Sequence, residues 1–409
     1  MTLVRPFAGL RPAPQHAGAV AAPPYDVLNT EEARVRAAGK PHSFLHISKP
    51  EIDLPADTDP YAAAVYETGA ENLARLVAGG VLIRDTEPHY YVYRLKMGEH
   101  VQTGIVVAAS VADYDTNRIR KHEFTRPDKE DDRVRQIEAL NAQTGPVLLA
   151  YKADAAVDAI LETAAADAPL YDVTADDGIH HTLWRIADAA SVDRLTLLFD
   201  AMKALYIADG HHRSAAASRV AAARRGKAKS DAAEYFLAVA FPHNQMRIFD
   251  YNRVVKDLNH LSADAFLAKI AERFEITPAG GQVKPDRPTR FGMYLGGRWY
   301  RLDIRASLIP AHDPVARLDV SLLQDNLIAP VLGIDDPRRD KRIDFVGGIR
   351  GLGELEKRVN SGEMKVAFAL HPTTLDQLMA VADAGQVMPP KSTWFEPKLA
   401  DGLVSHVLD

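Results

Sequence analysis

The chain has 409 residues, 47% of them apolar and 25% charged, with a formal net charge of −6. That is the composition of a globular protein with room for two or three domains, and it leaves no global footprint for nucleic acid or an acidic membrane surface. The absence of cysteine excludes disulfides, thiolate metal sites and a cysteine nucleophile.

Met1-Thr-Leu-Val-Arg-Pro-Phe7 lacks the apolar core of a signal peptide, and no apolar run reaches membrane-spanning length. A cytoplasmic location without a membrane partner is expected. Residues 1–55 are rich in proline and glycine and include the extended Pro24-Tyr25-Asp26-Val27. Tyr61, Val65, Leu73, Leu76 and Val77 carry a helical period over 60–80 that ends at Gly79-Gly80. Two strands follow, His89 to Met97 and Val101 to Val111, with Gly98-Glu99-His100 as a hairpin turn. Asp128 reads as the N-cap of a helix to about Ala142, and Pro146 to Tyr151 as a buried strand. Residues 152–178 read as a linker. Beyond them Lys203 to Asp209 reads as a short strand and Ala215 to Ala223 as a helix, with Asp209-Gly210 as the turn between. A helix at 262–274, strands near 290–304 and a helix near 319–332 complete the pattern. Two short basic runs, Arg224 to Lys229 and Arg338 to Arg342, read as solvated surface.

Strands and helices are intermingled and hairpins are present, so the expected class is α+β, or mixed α/β, in three lobes: 1–150, 151–255 and 256–409.

Three clusters carry candidate chemistry. At Asp209-Gly210-His211-His212-Arg213-Ser214 a helix begins directly after a tight turn, so backbone N–H groups converge on one spot. Cationic or hydrogen-bonding side chains surround that spot, and an anion such as a nucleotide phosphate is what it suits. In Lys121-His122-Glu123-Phe-Thr125-Arg126-Pro-Asp128-Lys129-Glu130-Asp131-Asp132-Arg133, His122 and Glu123 supply a candidate base and Thr125 a hydroxyl. Lys129 and Arg133 can offset charge on a transferring phosphoryl group, while Glu130 and Asp132 are oxygen donors of the kind Mg²⁺ prefers. Met388-Pro-Pro-Lys391-Ser392-Thr393-Trp394-Phe395-Glu396-Pro397-Lys398 is a proline-pinned loop that either completes a substrate pocket or buries Trp394 and Phe395 as anchors.

Asp209-Gly-His-His-Arg213 resembles the phosphate-binding signature of the ParB/sulfiredoxin superfamily, in the version carried by free serine kinases. With Pro24-Tyr25-Asp26-Val27, the 121–133 cluster and the 388–395 loop, the chain also resembles a bacterial and archaeal family of unknown function loosely described as SpoOJ/ParA/ParB/RepB-like. The resemblance implies a ParB/sulfiredoxin-like nucleotide-binding core with added α/β lobes. It further implies phosphate contact by Gly210, His211, His212, Arg213 and Ser214, and Glu123 as base on a substrate hydroxyl. The basic recognition helix that ParB proteins add is not found here, so no nucleic-acid partner is expected.

The resulting expectation is a phosphotransferase acting on free serine or a similar small metabolite, using ATP or ADP with Mg²⁺, and compatible with a homodimer. Glu123, His122, Lys129 and Arg133 would be catalytic, and residues Asp209 to Ser214 would hold the nucleotide. Tyr25, Asp26, Thr125, Lys391, Ser392 and Thr393 would line the substrate, with Glu130 and Asp132 on the metal. The alternatives are a phosphatase for phosphoserine or a similar ester, and a nucleotide-binding (CTP or ATP) switch of the ParB type without its DNA module.

Overall fold

The computed structural model describes residues 2–227 and 230–409; Ala228 and Lys229, from the first basic run, lie outside the described residues. The chain divides into two compact units, Met1–Met246 with Pro397–Asp409, and Arg247–Glu396. Both are mixtures of helices and strands, the mixed α/β class expected.

The first unit is built on a nine-stranded mixed sheet. Its strands are β1 (Val4–Arg5), β2 (Tyr90–Met97), β3 (His100–Ser110), β4 (Ile119–Arg120), β5 (Val147–Tyr151), β6 (Tyr171–Thr174), β7 (His180–Ile186), β8 (Leu205–Asp209) and β9 (Tyr235–Pro242). They run in the order β4-β8-β5-β9-β3-β2-β7-β6, with β1 beside β3. Strands from both sides of residue 150 thus share this sheet. Only β5 with β9 and β4 with β8 pair in parallel. Every residue of β5 and β9 is buried. Continuous apolar runs such as Val-Leu-Leu-Ala-Tyr are what a strand covered on both faces requires.

Helices α1 (Ala63–Ala78), α2 (Pro127–Leu140), α3 (Ala155–Ala164), α4 (Ala189–Asp200) and α5 (His211–Arg224) belong to this unit. Val157 and Leu161 of α3, Leu195 and Phe199 of α4, and Ala217 and Ala221 of α5 join Val147, Leu149 and Ile207 in one core.

Two expectations change here. Residues 152–178 are no linker, because they form α3 and β6. Asp154 caps α3 by accepting from Ala156 and Val157, a signal masked in sequence by the surrounding alanines. Asp128 does not cap α2. Pro127 takes the first helical position, where its fixed φ fits and its missing N–H costs nothing, so the cap position falls on Arg126. The hairpin holds: Met97 pairs with His100 around a two-residue loop that starts on Gly98 at φ 58°.

The second unit carries a six-stranded antiparallel sheet: β10 (Tyr251–Val255), β11 (Phe274–Ala279), β12 (Arg290–Leu295), β13 (Arg298–Ile304), β14 (Ile343–Gly347) and β15 (Val366–Ala369). The order is β11-β13-β12-β15-β10-β14. Val254, Tyr294, Trp299 and Ala367 pack with Leu355 into its core.

Candidate functional site

Local irregularity creates the start of α5. Along β8, Ile207 faces Leu149 and Asp209 faces Leu148, so Ala208 is an extra residue that bends the strand end. Gly210 then turns the chain at φ 95°. A Cβ there would lie 3.2 Å from Arg213 Nε and 3.3 Å from the Val147 Cα, so both the conformation and the space favour glycine. The first turn closes with Arg213 N–H and Ser214 N–H donating to Gly210 O. Helix geometry therefore leaves the amides of His211 and His212 for an outside acceptor.

Both histidines hold the 122–126 loop. His122 N–H donates to His211 Nε2 at 3.4 Å, and Arg126 N–H donates to His212 Nε2 at 3.1 Å. An Nε2 that accepts is unprotonated, so each neutral ring carries its proton on Nδ1. His211 Nδ1 lies 3.7 Å from Glu123 Oε2, close enough for attraction and too long for a hydrogen bond. Burial, then the neighbouring His122, holds the His211 ring well below the usual imidazole range, although Asp209 opposes the shift. The His122 ring packs edge-on against it at 4.5 Å, and burial pushes it down to about 4. His122 is 1% exposed, so its ring is closed off from solvent. The Glu123 side chain, 39% exposed, is the group of this pair that solvent reaches.

The side chains of His212, Arg213 and Ser214 are engaged within the protein. The His212 ring nitrogen is taken by Arg126. Ser214 Oγ is fully buried and donates to His211 O at 3.0 Å. Arg213 turns inward, donating to Pro146 O and, at 3.3 Å, to Asp26 Oδ2. Asp209 accepts from Gly210 N–H at 2.9 Å and from Lys398 Nζ at 3.2 Å. Burial alone would raise the Asp209 carboxyl; Lys398 and Arg213 outweigh it and hold the group below the usual carboxylate range. The side chains around the turn thus form a neutralised ion cluster, and the helix amides remain the anion-seeking element.

Helix α2 supplies the neighbouring wall. Arg133 Nη2 donates to Asp132 Oδ2 at 2.7 Å, and its guanidinium lies 3.9 Å over the Tyr25 ring. Asp132 also accepts from Tyr66 at 2.8 Å. Thr125 Oγ1 donates to Glu130 Oε1, and Arg219 reaches Glu130 at 3.4 Å. Glu130 and Asp132 are thereby engaged with separate partners, and no group of three metal-ligating side chains exists among the described residues. The pair does not fit the expected Mg²⁺ site. Lys129 Nζ donates to Tyr61 Oη at 3.0 Å.

The structure therefore brings Tyr25, Asp26, Glu123, Thr125, Arg133 and Asp209 to Arg213 together within the first unit. Lys391, Ser392 and Thr393 lie in the second unit. There Ser392 Oγ donates to Pro389 O, and Thr373 Oγ1 donates to Ser392 O. Lys391 adopts φ 58°, and Trp394 packs 5.3 Å from Tyr251, the anchoring alternative for that loop. The sequence singles out Lys398 only as the end of the 388–398 cluster, without a role, and does not single out Asp401. Lys398 closes the motif that begins at Met388, which is a usable signal; Asp401 sits in an unremarkable Ala-Asp-Gly.

A family model for proteins of unknown function, DUF1015, matches residues 4–321. The chain belongs to that family. Among curated proteins the sequence matches none. Solved structures similar to it include a free serine kinase in complex with AMP, at 11% identity and a TM-score of 0.36, covering 73% of this chain and 92% of that one. A conserved hypothetical protein from Pyrococcus furiosus is similar at 13% identity and a TM-score of 0.36, covering 74% and 94%. SbnI from Staphylococcus aureus, truncated at its C-terminus, is similar at 12% identity and a TM-score of 0.36, covering 72% and 85%. No helix among the described residues is long and apolar enough to cross a membrane.

Proposed function

We propose that the protein transfers a phosphoryl group from a nucleotide, ATP or ADP, to the hydroxyl of a small metabolite, with free serine as the leading acceptor. One observation carries the reading: the half-buried Glu123 carboxylate lies 3.7 Å from His211, the first residue of α5, whose first-turn amides suit a phosphate. Base and phosphate cradle then share one site, although they are distant in sequence. In the step, the acceptor oxygen bonds to the terminal phosphorus, and the bond from that phosphorus to its bridging oxygen breaks. The shortened nucleotide leaves with the electron pair, and Glu123 takes the hydroxyl proton. The amides of His211 and His212 face charge on the phosphoryl oxygens, and Lys129 would leave its Tyr61 contact to add positive charge. His211 and His212, by holding the loop, fix where Glu123 stands.

Phosphorus-31 NMR tests this directly. Purified protein with L-serine and ATP or ADP, run with and without Mg²⁺, should give a new phosphomonoester signal and name the donor. Release of phosphate from O-phosphoserine without nucleotide, and no ester in the first tube, would overturn the proposal in favour of a phosphatase.

A further inference from the structure

Beside the Arg213 side chain the first unit carries a partly open cavity, walled by Tyr25, Arg133, Gln136, Gln143, Arg213 and Asp401, with Gly145 at one side. Its lining is unusually unsatisfied. Arg213 Nε, Asp401 Oδ1 and Ser48 Oγ have no hydrogen-bond partner, although the three residues are 8%, 2% and 5% exposed. Buried polar groups are almost always paired, so three orphans on one small cavity mark a missing partner. Gly145 keeps the space open: a Cβ there would lie 3.3 Å from Arg213 Cδ and 3.6 Å from Asp401 Oδ1.

The orphans define the partner's chemistry. Arg213 Nε can only donate, so it needs an acceptor. Burial lifts the Asp401 carboxyl to about 7, against the pull of Arg213, so below that pH it is a neutral acid able to donate as well. Arg133, salt-bridged to Asp132 at 2.7 Å, adds a second guanidinium to the wall. Two guanidiniums and a neutral acid on one lining suit a small anion such as a carboxylate.

We propose that this cavity is the carboxylate subsite of the acceptor, so that the protein selects hydroxy acids or amino acids and rejects simple alcohols. The inference rests on the phosphotransfer reading for the word acceptor, but carboxylate binding is testable without transfer.

Calorimetry on the wild-type full chain, without nucleotide, compares L-serine, D-glycerate and ethanolamine, which share a hydroxyl while only the first two carry a carboxylate. Serine and glycerate should bind, and ethanolamine should be at least about a hundredfold weaker, as expected when buried donors lose their acceptor. Arg213→Met should abolish serine binding. The wild-type series decides the matter even if the arginine variant does not fold. Ethanolamine binding as well as serine, or no binding of either carboxylate, overturns the subsite. Phosphoryl transfer to ethanolamine as fast as to serine would also overturn it while leaving the phosphotransfer reading standing. Carboxylate binding with no transfer from any nucleotide would uphold the subsite and sink the phosphotransfer reading.

Discussion

Replacing Asp401 by asparagine keeps the shape of the side chain and removes its proton equilibrium. The carboxyl is 2% exposed, and its value rises from 3.8 to about 7 because burial disfavours the anion more than Arg213 favours it. The folded state therefore holds a proton that the unfolded chain releases above about pH 4. Stability from this group is fully present below 3.8 and is lost as pH rises to about 7. About three pH units at roughly 1.4 kcal/mol each give a difference of about 4 kcal/mol between the two ends of that window. Asp401→Asn removes this dependence, so its stability relative to wild type should climb by about 2–4 kcal/mol between pH 4 and pH 8. Hydrogen exchange of the β9 amides, read by mass spectrometry on both proteins at each pH, reports unfolding of the first unit alone. Matched pH cancels the intrinsic exchange rate. A difference that stays flat across the range would refute the claim that Asp401 is a buried, protonated acid.

Other expectations concern the same site. Gly210→Ala forces an alanine to φ 95° against Arg213 and Val147; thermal melting should show a loss of about 1–3 kcal/mol, and calorimetry a parallel loss of nucleotide affinity. Lys398→Met removes the strongest attraction on Asp209, so carbon-13 NMR should find that carboxyl titrating at higher pH than in wild type. His122 is held near 4 against an ordinary 6.5. Its contribution to stability is present above 6.5 and is lost as pH falls through 4, by up to about 3 kcal/mol; His122→Asn, compared by urea unfolding, should lack that dependence.

The sequence made the elements of this site legible, and less of its wiring. A strand, an Asp-Gly turn and an alanine-rich helix announce α5 because each obeys a local rule. Glu123 could be singled out because a carboxylate beside histidine in a charged loop is poor core material. Which way a side chain turns is a tertiary decision. Arg213 and Ser214 follow the turn as phosphate ligands would, yet the helix phase sends both inward. His211 and His212 look like ligands and serve as acceptors for the loop they hold. Asp132 and Glu130 share a charged helix, but Tyr66 and Arg219, distant in sequence, claim them separately. Asp401 was invisible because nothing in Ala400-Asp401-Gly402 records that the segment returns against Arg213. The alanines of α3 hid that helix because their period is weak without the partners they pack against.

The central claim is that Glu123 and the start of α5 form one catalytic site. Rapid-quench transfer from labelled nucleotide to L-serine, measured on wild type and Glu123→Gln with nucleotide affinity taken in parallel, tests it most directly. Transfer should be slowed by about a hundredfold or more in the variant, with nucleotide binding unchanged. Equal transfer by the two proteins would contradict it.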